Sequence, residues 1–128
     1  PTPSSAASDV YKRQPLACEV AKKVVEIISN KKVLTGVIQK TIKFNQKLNK
    51  LSEKYNLFKD IRSAGLWICC DFKKIKAADF INECYKKRLI LVQASGDKTI
   101  RLAPSLIIED SEIEEGFKRF EKAVKKLT

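Results

Sequence analysis

With 128 residues, 44% of them hydrophobic and 32% charged, the chain has the composition of one globular domain with a modest core. No apolar run approaches the roughly 20 residues that a membrane-spanning helix requires, and no signal-peptide core is visible, so we expect a cytoplasmic protein without a membrane partner. The net charge of +11 raises the possibility of nucleic-acid binding. However, most of the 26 basic residues are lysines that lie beside acidic residues on predicted helices, which favours solvated faces and predicts no nucleic-acid partner.

The first 14 residues, "PTPSSAASDVYKRQ", are mostly small and polar and show no apolar period. The stretch from Asp9 to Gln14 can be read back as the codons GAT GTG TAT AAG AGA CAG, which resemble a transposase adapter used in preparing sequencing libraries. We therefore expect residues 1–14 to be a non-native, disordered segment, and the folded domain to occupy residues 15–128.

Two helices are predicted to follow. "PLACEVAKKVVEIIS", Pro15 to Ser29, begins with a proline at a favoured first helical position. Its apolar residues fall on one stripe, at spacings of four, four and three: Leu16, Val20, Val24 and Ile27. A longer amphipathic pattern predicts a second helix from about Lys32 to Tyr55.

The second half of the chain alternates strands and helices. Branched and aromatic residues predict a strand at Gly65–Phe72, a short helix at Ala77–Lys87, and two strands around the turn signal Ser95–Lys98. Ser111 and Glu114 form a capping-box pattern at the start of a closing helix. The order helix, helix, strand, helix, strand, strand, helix indicates an α+β fold, with a small, mainly antiparallel sheet and helices packed on one face.

Little catalytic chemistry is available in this composition. The chain has no histidine, which is the commonest general base and zinc ligand. Cys69 and Cys70 are adjacent, and consecutive strand residues face opposite sides, so we expect one buried and one exposed reduced thiol and no metal site. With no glycine-rich phosphate loop and no paired carboxylates, we nominate no catalytic residue.

One polar residue stands out within a predicted strand. Arg101 lies between Ile100 and Leu102 in "KTIRLAPSLIIED", and a proline follows shortly after. A guanidinium that alternates with apolar neighbours is either exposed on the open face of the sheet or aimed into a site as a bidentate carboxylate clamp. The pattern alone favours the exposed alternative.

Three stretches together carry a family resemblance: "PLACEVAKKVVEII", "FKDIRSAGLWICCDF" and "TIRLAPSLIIEDSEIEEGFKRFEKAV". In this order and spacing they resemble the C-terminal small domain of the class III pyridoxal-phosphate aminotransferases, a fold-type I group, and within it most closely the acetylornithine aminotransferase group. The resemblance covers Pro15 to the end of the chain. Ser63 departs from it, since the family commonly has a glycine after the arginine that matches Arg62.

The resemblance implies a pyridoxal 5'-phosphate enzyme of arginine biosynthesis, a homodimer that transfers an amino group from an amino-acid donor to 2-oxoglutarate. The lysine that holds the cofactor would lie outside this chain, so the fragment alone is expected to be inactive, and no cofactor-binding residue is nominated here. Arg101 becomes the candidate substrate-binding residue, as partner of a substrate carboxylate.

Several alternatives stay open from the sequence. The resemblance implies acetylornithine as the amino donor, with succinyldiaminopimelate as a further candidate substrate of the same enzyme. An aminotransferase of the ornithine or 4-aminobutyrate type stays as the alternative, because the residues that bind that end of the donor would lie upstream. From other classes, a small basic nucleic-acid-binding module and a stand-alone interaction domain remain as competing hypotheses. Salt-sensitive retention on DNA would favour the first of these two, and a stable complex with an unrelated protein would favour the second.

Overall fold

The computed structural model describes residues 14–128, so the prediction that residues 1–14 are a disordered, adapter-derived segment concerns a part outside the described residues, apart from Gln14. The helices and strands follow in the order α1 (Pro15–Ile28), α2 (Lys31–Tyr55), β1 (Phe58–Ala64), β2 (Trp67–Phe72), α3 (Ala77–Lys86), β3 (Val92–Gln93), β4 (Thr99–Leu102) and α4 (Asp110–Leu127). No helix among residues 14–128 is both long enough and apolar enough to cross a membrane. The chain divides into two compact units after Thr35.

The first unit contains α1 and the start of α2. Pro15 stands at the start of α1, as predicted, and none of the residues of this helix is buried. Asn30 separates the two helices, and its side-chain oxygen accepts a hydrogen bond of 2.8 Å from the backbone N–H of Lys32. This bond satisfies one of the N–H groups that a helix leaves free in its first turn.

The second unit contains a four-stranded sheet in the order β1-β2-β4-β3. All three neighbouring pairs are antiparallel, which confirms the predicted α+β class. Strand β1 was not predicted, because only Phe58 of its seven residues is buried. The polar pairs Lys59–Asp60 and Arg62–Ser63 interrupt the alternation of apolar and polar residues that is typical of a strand. Strand β3 is also shorter than predicted, with two residues.

Helices cover one face of this sheet. Ile68, Cys70 and Phe72 of β2 point to that face together with Ile100 and Leu102 of β4, and all five are buried. The helices α2, α3 and α4 supply the opposite wall of the core through buried residues that include Phe44, Leu48, Phe80, Cys84, Ile113, Phe117, Phe120 and Val124. Because side chains alternate along a strand, this arrangement leaves the second face of the sheet open.

Helix α4 begins two residues earlier than the sequence predicts. The capping box is formed by Glu109 and Glu112, not by Ser111 and Glu114. The Glu112 side chain accepts a hydrogen bond of 2.8 Å from the backbone N–H of Glu109. Glu114 lies within the helix and accepts a hydrogen bond of 2.7 Å from Lys47 of α2. Interhelical ion pairing at Glu114 therefore replaces the predicted role in capping.

Candidate carboxylate-binding site

The open face of the sheet carries the polar residues of the strands. The strand register aligns Arg62 with Cys69, Cys69 with Arg101, and Arg101 with Val92, so these four residues form one row across the sheet. Residues that are directly opposite on antiparallel strands point to the same face. Arg101 thus lies on the open face, in the middle of the sheet.

Arg101 is half-buried there, although helices α2, α3 and α4 pack on the opposite face of the sheet. Its guanidinium carbon lies 4.5 Å from the centroid of the Trp67 ring. Its Nε is buried and has no hydrogen-bond partner among residues 14–128. A buried N–H without an acceptor is destabilising by about 1–3 kcal/mol, and because this Nε is closed to solvent, a ligand would bind Arg101 through the terminal nitrogens of the guanidinium.

The four strands contain two carboxylates, and both are already bound by Arg62. Its Nη1 donates to Asp60 at 2.5 Å and to Asp71 at 2.6 Å, and its Nη2 donates to the second oxygen of Asp71 at 3.1 Å. The hydroxyl of Thr99 also donates to Asp71, at 2.7 Å. Hydrogen bonds from Arg62 first, and from Thr99 second, hold the pKa of Asp71 below its ordinary value.

These bonds determine which charge on the open face is left to bind a ligand. Arg62 and the two carboxylates form one internal network, whereas Arg101 is not among the ion pairs of residues 14–128. A guanidinium offers N–H donors in a planar fork that matches the two oxygens of a carboxylate. The open face can therefore bind a carboxylate at Arg101 without breaking an existing ion pair.

The two adjacent cysteines behave largely as predicted. Cys70 is fully buried, and burial raises the pKa of its thiol to about 12. Cys69 faces the open side but is half-buried, so it is less exposed than expected. Within residues 14–128 no group of three or more cysteine or acidic side chains is placed to hold a metal ion.

The described residues do not fit a pyridoxal-phosphate pocket. Holding that cofactor requires an enclosed lysine amine and a set of phosphate donors. No polar or charged residue of the described part is buried, and its lysines lie exposed or half-buried on helices, on loops and, for Lys59, on the edge strand β1. We therefore assign no cofactor contact to residues 14–128.

A separate cavity of about 180 Å³ lies between α4 and the segments that flank β3 and β4. Its lining is mainly apolar and includes Leu89, Leu102, Pro104 and Gly116. Glu112 is the one charged residue in the lining, and its carboxylate is engaged in the cap of α4. The lining of this cavity therefore contains no free polar side chain that could take part in catalysis.

The sequence alone nominated Arg101 as a candidate and gave no role to its neighbours. Trp67 was included in the strand prediction for its β propensity, and the pairing of Arg62 with Asp71 depends on β1, which was not predicted. The sequence signal that could have found them is Gly65, because a glycine directly before a strand is typical of a hairpin turn. In the structure its backbone is left-handed, with φ of 59°, and it lies in the turn between β1 and β2. From that turn the register of Arg62, Trp67 and Asp71 follows.

A comparison with protein families gives one match over nearly the whole chain. Residues 2–124 match the model of the family described as aminotransferase class-III. The chain therefore belongs to the class III aminotransferases, as the resemblance of its motifs indicated. This assignment favours the aminotransferase hypothesis over the two competing classes of protein.

Similar proteins narrow the comparison within the family. Acetylornithine aminotransferase 1 of Pseudomonas syringae pv. tomato is 43% identical over 121 residues, which are 92% of this chain and 30% of that protein. The succinylornithine transaminase/acetylornithine aminotransferase of Pseudomonas aeruginosa is 42% identical over 120 residues, 91% of this chain and 29% of that protein. The chain thus spans less than a third of the length of these relatives.

The fold agrees with this comparison. The crystal structure of N-acetylornithine aminotransferase from Stenotrophomonas maltophilia matches with a TM-score of 0.82. The match covers 88% of this chain and 32% of that structure, at 24% sequence identity. The arrangement of helices and sheet in this chain is therefore that of one part of an aminotransferase subunit.

Proposed function

We propose that this chain is the C-terminal small domain of a pyridoxal-phosphate-dependent acetylornithine:2-oxoglutarate aminotransferase. The names of the relatives from P. syringae and P. aeruginosa support acetylornithine as the amino donor. The observation that carries the proposal is the guanidinium of Arg101, which forms no ion pair among residues 14–128, on a sheet whose two carboxylates are already bound to Arg62. Cytoplasmic localisation and a homodimeric assembly stay predictions.

The role of this domain in the reaction would be to bind a substrate carboxylate. Donor and acceptor in such a reaction both carry a carboxylate, and a planar fork fixes its position through two parallel charge-assisted hydrogen bonds. Arg101 extends from a central strand, which holds its backbone more rigidly than a loop would. We infer that Arg101 orients the substrate and takes no part in proton transfer.

The cofactor and its lysine belong, in this proposal, to residues outside positions 14–128. When bound, pyridoxal phosphate supplies the electron sink that amino-group transfer needs. The 128-residue chain by itself is then expected to show no transaminase activity. Turnover by the isolated chain in the presence of pyridoxal phosphate would contradict this division of roles.

The direct test of the proposal uses the full-length protein that contains this chain. The purified protein is supplied with 2-oxoglutarate and one of three donors, acetylornithine, ornithine or 4-aminobutyrate, and the glutamate formed is measured. We expect acetylornithine to give the highest kcat/KM. A clear preference for ornithine or 4-aminobutyrate would reassign the substrate within the family, and no transamination with any donor would overturn the proposed activity.

A further inference from the structure

We propose that Trp67 is a positioning residue for Arg101: its indole covers one face of the guanidinium, so that a carboxylate binds along the edge of the fork and in its plane. This inference rests on the proposed role of Arg101 in carboxylate binding. It assigns to Trp67 a part in ligand binding and not in the folding of the core.

Trp67 has no role in the core that would explain its presence. It is the single tryptophan of the chain, and 54% of its surface is exposed. The register pairs Cys69 with Arg101, so Trp67, two residues before Cys69, is a diagonal neighbour of Arg101 on the open face. Diagonal neighbours of this kind are within reach of each other when the side chains are long or aromatic.

The contact restricts how an anion can approach Arg101. A cation within about 6 Å of an indole centroid is attracted by the negative face of the ring, and the guanidinium of Arg101 lies well inside that range, at 4.5 Å. With one flat face covered, the directions left for a ligand include the edge that carries the N–H donors. A planar carboxylate is complementary to that edge, which makes the site selective for carboxylates over spherical anions.

The neighbouring charged residues on the open face do not occupy the N–H edge of the Arg101 guanidinium. Arg62 binds Asp71 through two hydrogen bonds, so that carboxylate is already occupied by a cation other than Arg101. The Nε of Arg101 is itself buried, so the terminal N–H groups of the guanidinium, which form no ion pair among residues 14–128, are the donors that an incoming carboxylate would meet. Trp67 therefore orients the guanidinium of Arg101, whereas Arg62 binds Asp71 and so removes that carboxylate as a partner for Arg101.

The test is the binding of 2-oxoglutarate to the full 128-residue chain, measured by titration calorimetry at constant ionic strength. The variants are Trp67→Phe, which keeps an aromatic face, Trp67→Leu, which removes it, and Arg101→Lys. Tyr85→Leu is the matched control, because Tyr85 is an aromatic residue with 71% exposure on α3. In the unsubstituted chain, the emission of the single tryptophan gives an independent signal from the site.

We expect Trp67→Leu to weaken 2-oxoglutarate binding about 5-fold, the size expected of a cation–π contact, and Trp67→Phe and Tyr85→Leu to stay within about 2-fold of the unsubstituted chain. Saturation with 2-oxoglutarate should change the tryptophan emission, whereas chloride at the same ionic strength should not. Equal affinity of Trp67→Leu and the unsubstituted chain, with binding weakened by Arg101→Lys, would overturn the role of Trp67 and leave the proposed function intact. No binding by the unsubstituted chain, or binding that is indifferent to Arg101→Lys, would overturn the role of Trp67, whereas the proposed function is tested separately by transamination in the full-length protein.

Discussion

Arg62 on β1 binds both carboxylate oxygens of Asp71 on the neighbouring strand β2, through hydrogen bonds of 2.6 and 3.1 Å. Asp71 in turn accepts a hydrogen bond from Thr99 on β4. Three strands are thereby linked on the face of the sheet opposite to helices α2, α3 and α4. The same bonds hold Asp71 in a pair with Arg62, so Arg101 on the neighbouring strand has no carboxylate partner among residues 14–128.

The Arg62–Asp71 pair should make stability depend on pH in a defined direction. The pKa of Asp71 is lowered in the folded chain, chiefly by Arg62, so the pair contributes fully above the ordinary aspartate pKa of about 3.9. That contribution is lost as the pH falls through the lower pKa of the folded state. We expect Asp71→Asn to reduce the free energy of unfolding by about 1 kcal/mol at pH 7, because the pair is partly exposed.

The measurement is urea unfolding of the unsubstituted chain and of Asp71→Asn between pH 7 and pH 2. The difference between the two proteins should be constant down to about pH 4 and then shrink. A difference that keeps the same size at every pH would show that Asp71 contributes through packing and not through its charge.

Two glycines should respond to alanine in opposite directions. Gly116 lies inside α4, and a methyl group there would meet nothing within 4 Å. Gly116→Ala is therefore expected to stabilise the chain by about 0.5–1 kcal/mol, since alanine is the better helix former. Gly65 has a left-handed φ of 59°, and a Cβ would lie 3.3 Å from Val37, so Gly65→Ala should be destabilising. Thermal unfolding of both variants tests the pair, and a loss of stability in Gly116→Ala would contradict the open space at that position.

The four cysteines should react with a thiol reagent at different rates. Burial raises the thiol pKa of both Cys70 and Cys84 to about 12, whereas Cys18 is exposed and Cys69 is half-buried. Because the thiolate is the reactive form, a thiol reagent at pH 8 should modify Cys18 first and Cys69 more slowly. Cys70 and Cys84 should react only after denaturation. Rapid modification of all four in the native chain would contradict the burial of the core face of the sheet.

The elements with a strong apolar period could be predicted from the sequence. Helices α2, α3 and α4, strand β2 and the turn between β3 and β4 have buried residues or turn residues at regular positions, such as Phe72 and Gly96. Helix α1 was predicted from its apolar stripe, although none of its residues is buried. Strand β1 could not be predicted, because it is an edge strand with one open face and its polar residues serve the network around Arg62. Local sequence patterns do not encode such pairing between strands.

The candidate site, likewise, could be predicted only in the part that depends on local sequence. Arg101 could be singled out because a guanidinium between two buried residues, Ile100 and Leu102, is unusual in a strand. Its contact with Trp67 depends on the register between β2 and β4, which are separated in sequence by a helix and a further strand. The start of α4 could not be predicted because the sequence offers more than one capping pattern among the acidic residues from 109 to 114. In the structure Glu109 and Glu112 form the capping box, and Glu114 instead binds Lys47 of α2.

The measurement that tests the account most directly is the steady-state kinetics of Arg101 variants in the full-length protein that contains this chain. Lysine keeps the charge but loses the paired geometry of the fork, and charge-assisted hydrogen bonds contribute roughly 1.5–3 kcal/mol each. We therefore predict that Arg101→Lys lowers kcat/KM by about 10- to 100-fold, and that Arg101→Ala lowers it further. The absorbance spectrum of the bound cofactor should change little. Unchanged kcat/KM for both the amino donor and 2-oxoglutarate in Arg101→Ala would contradict the assignment of Arg101 as the carboxylate-binding residue.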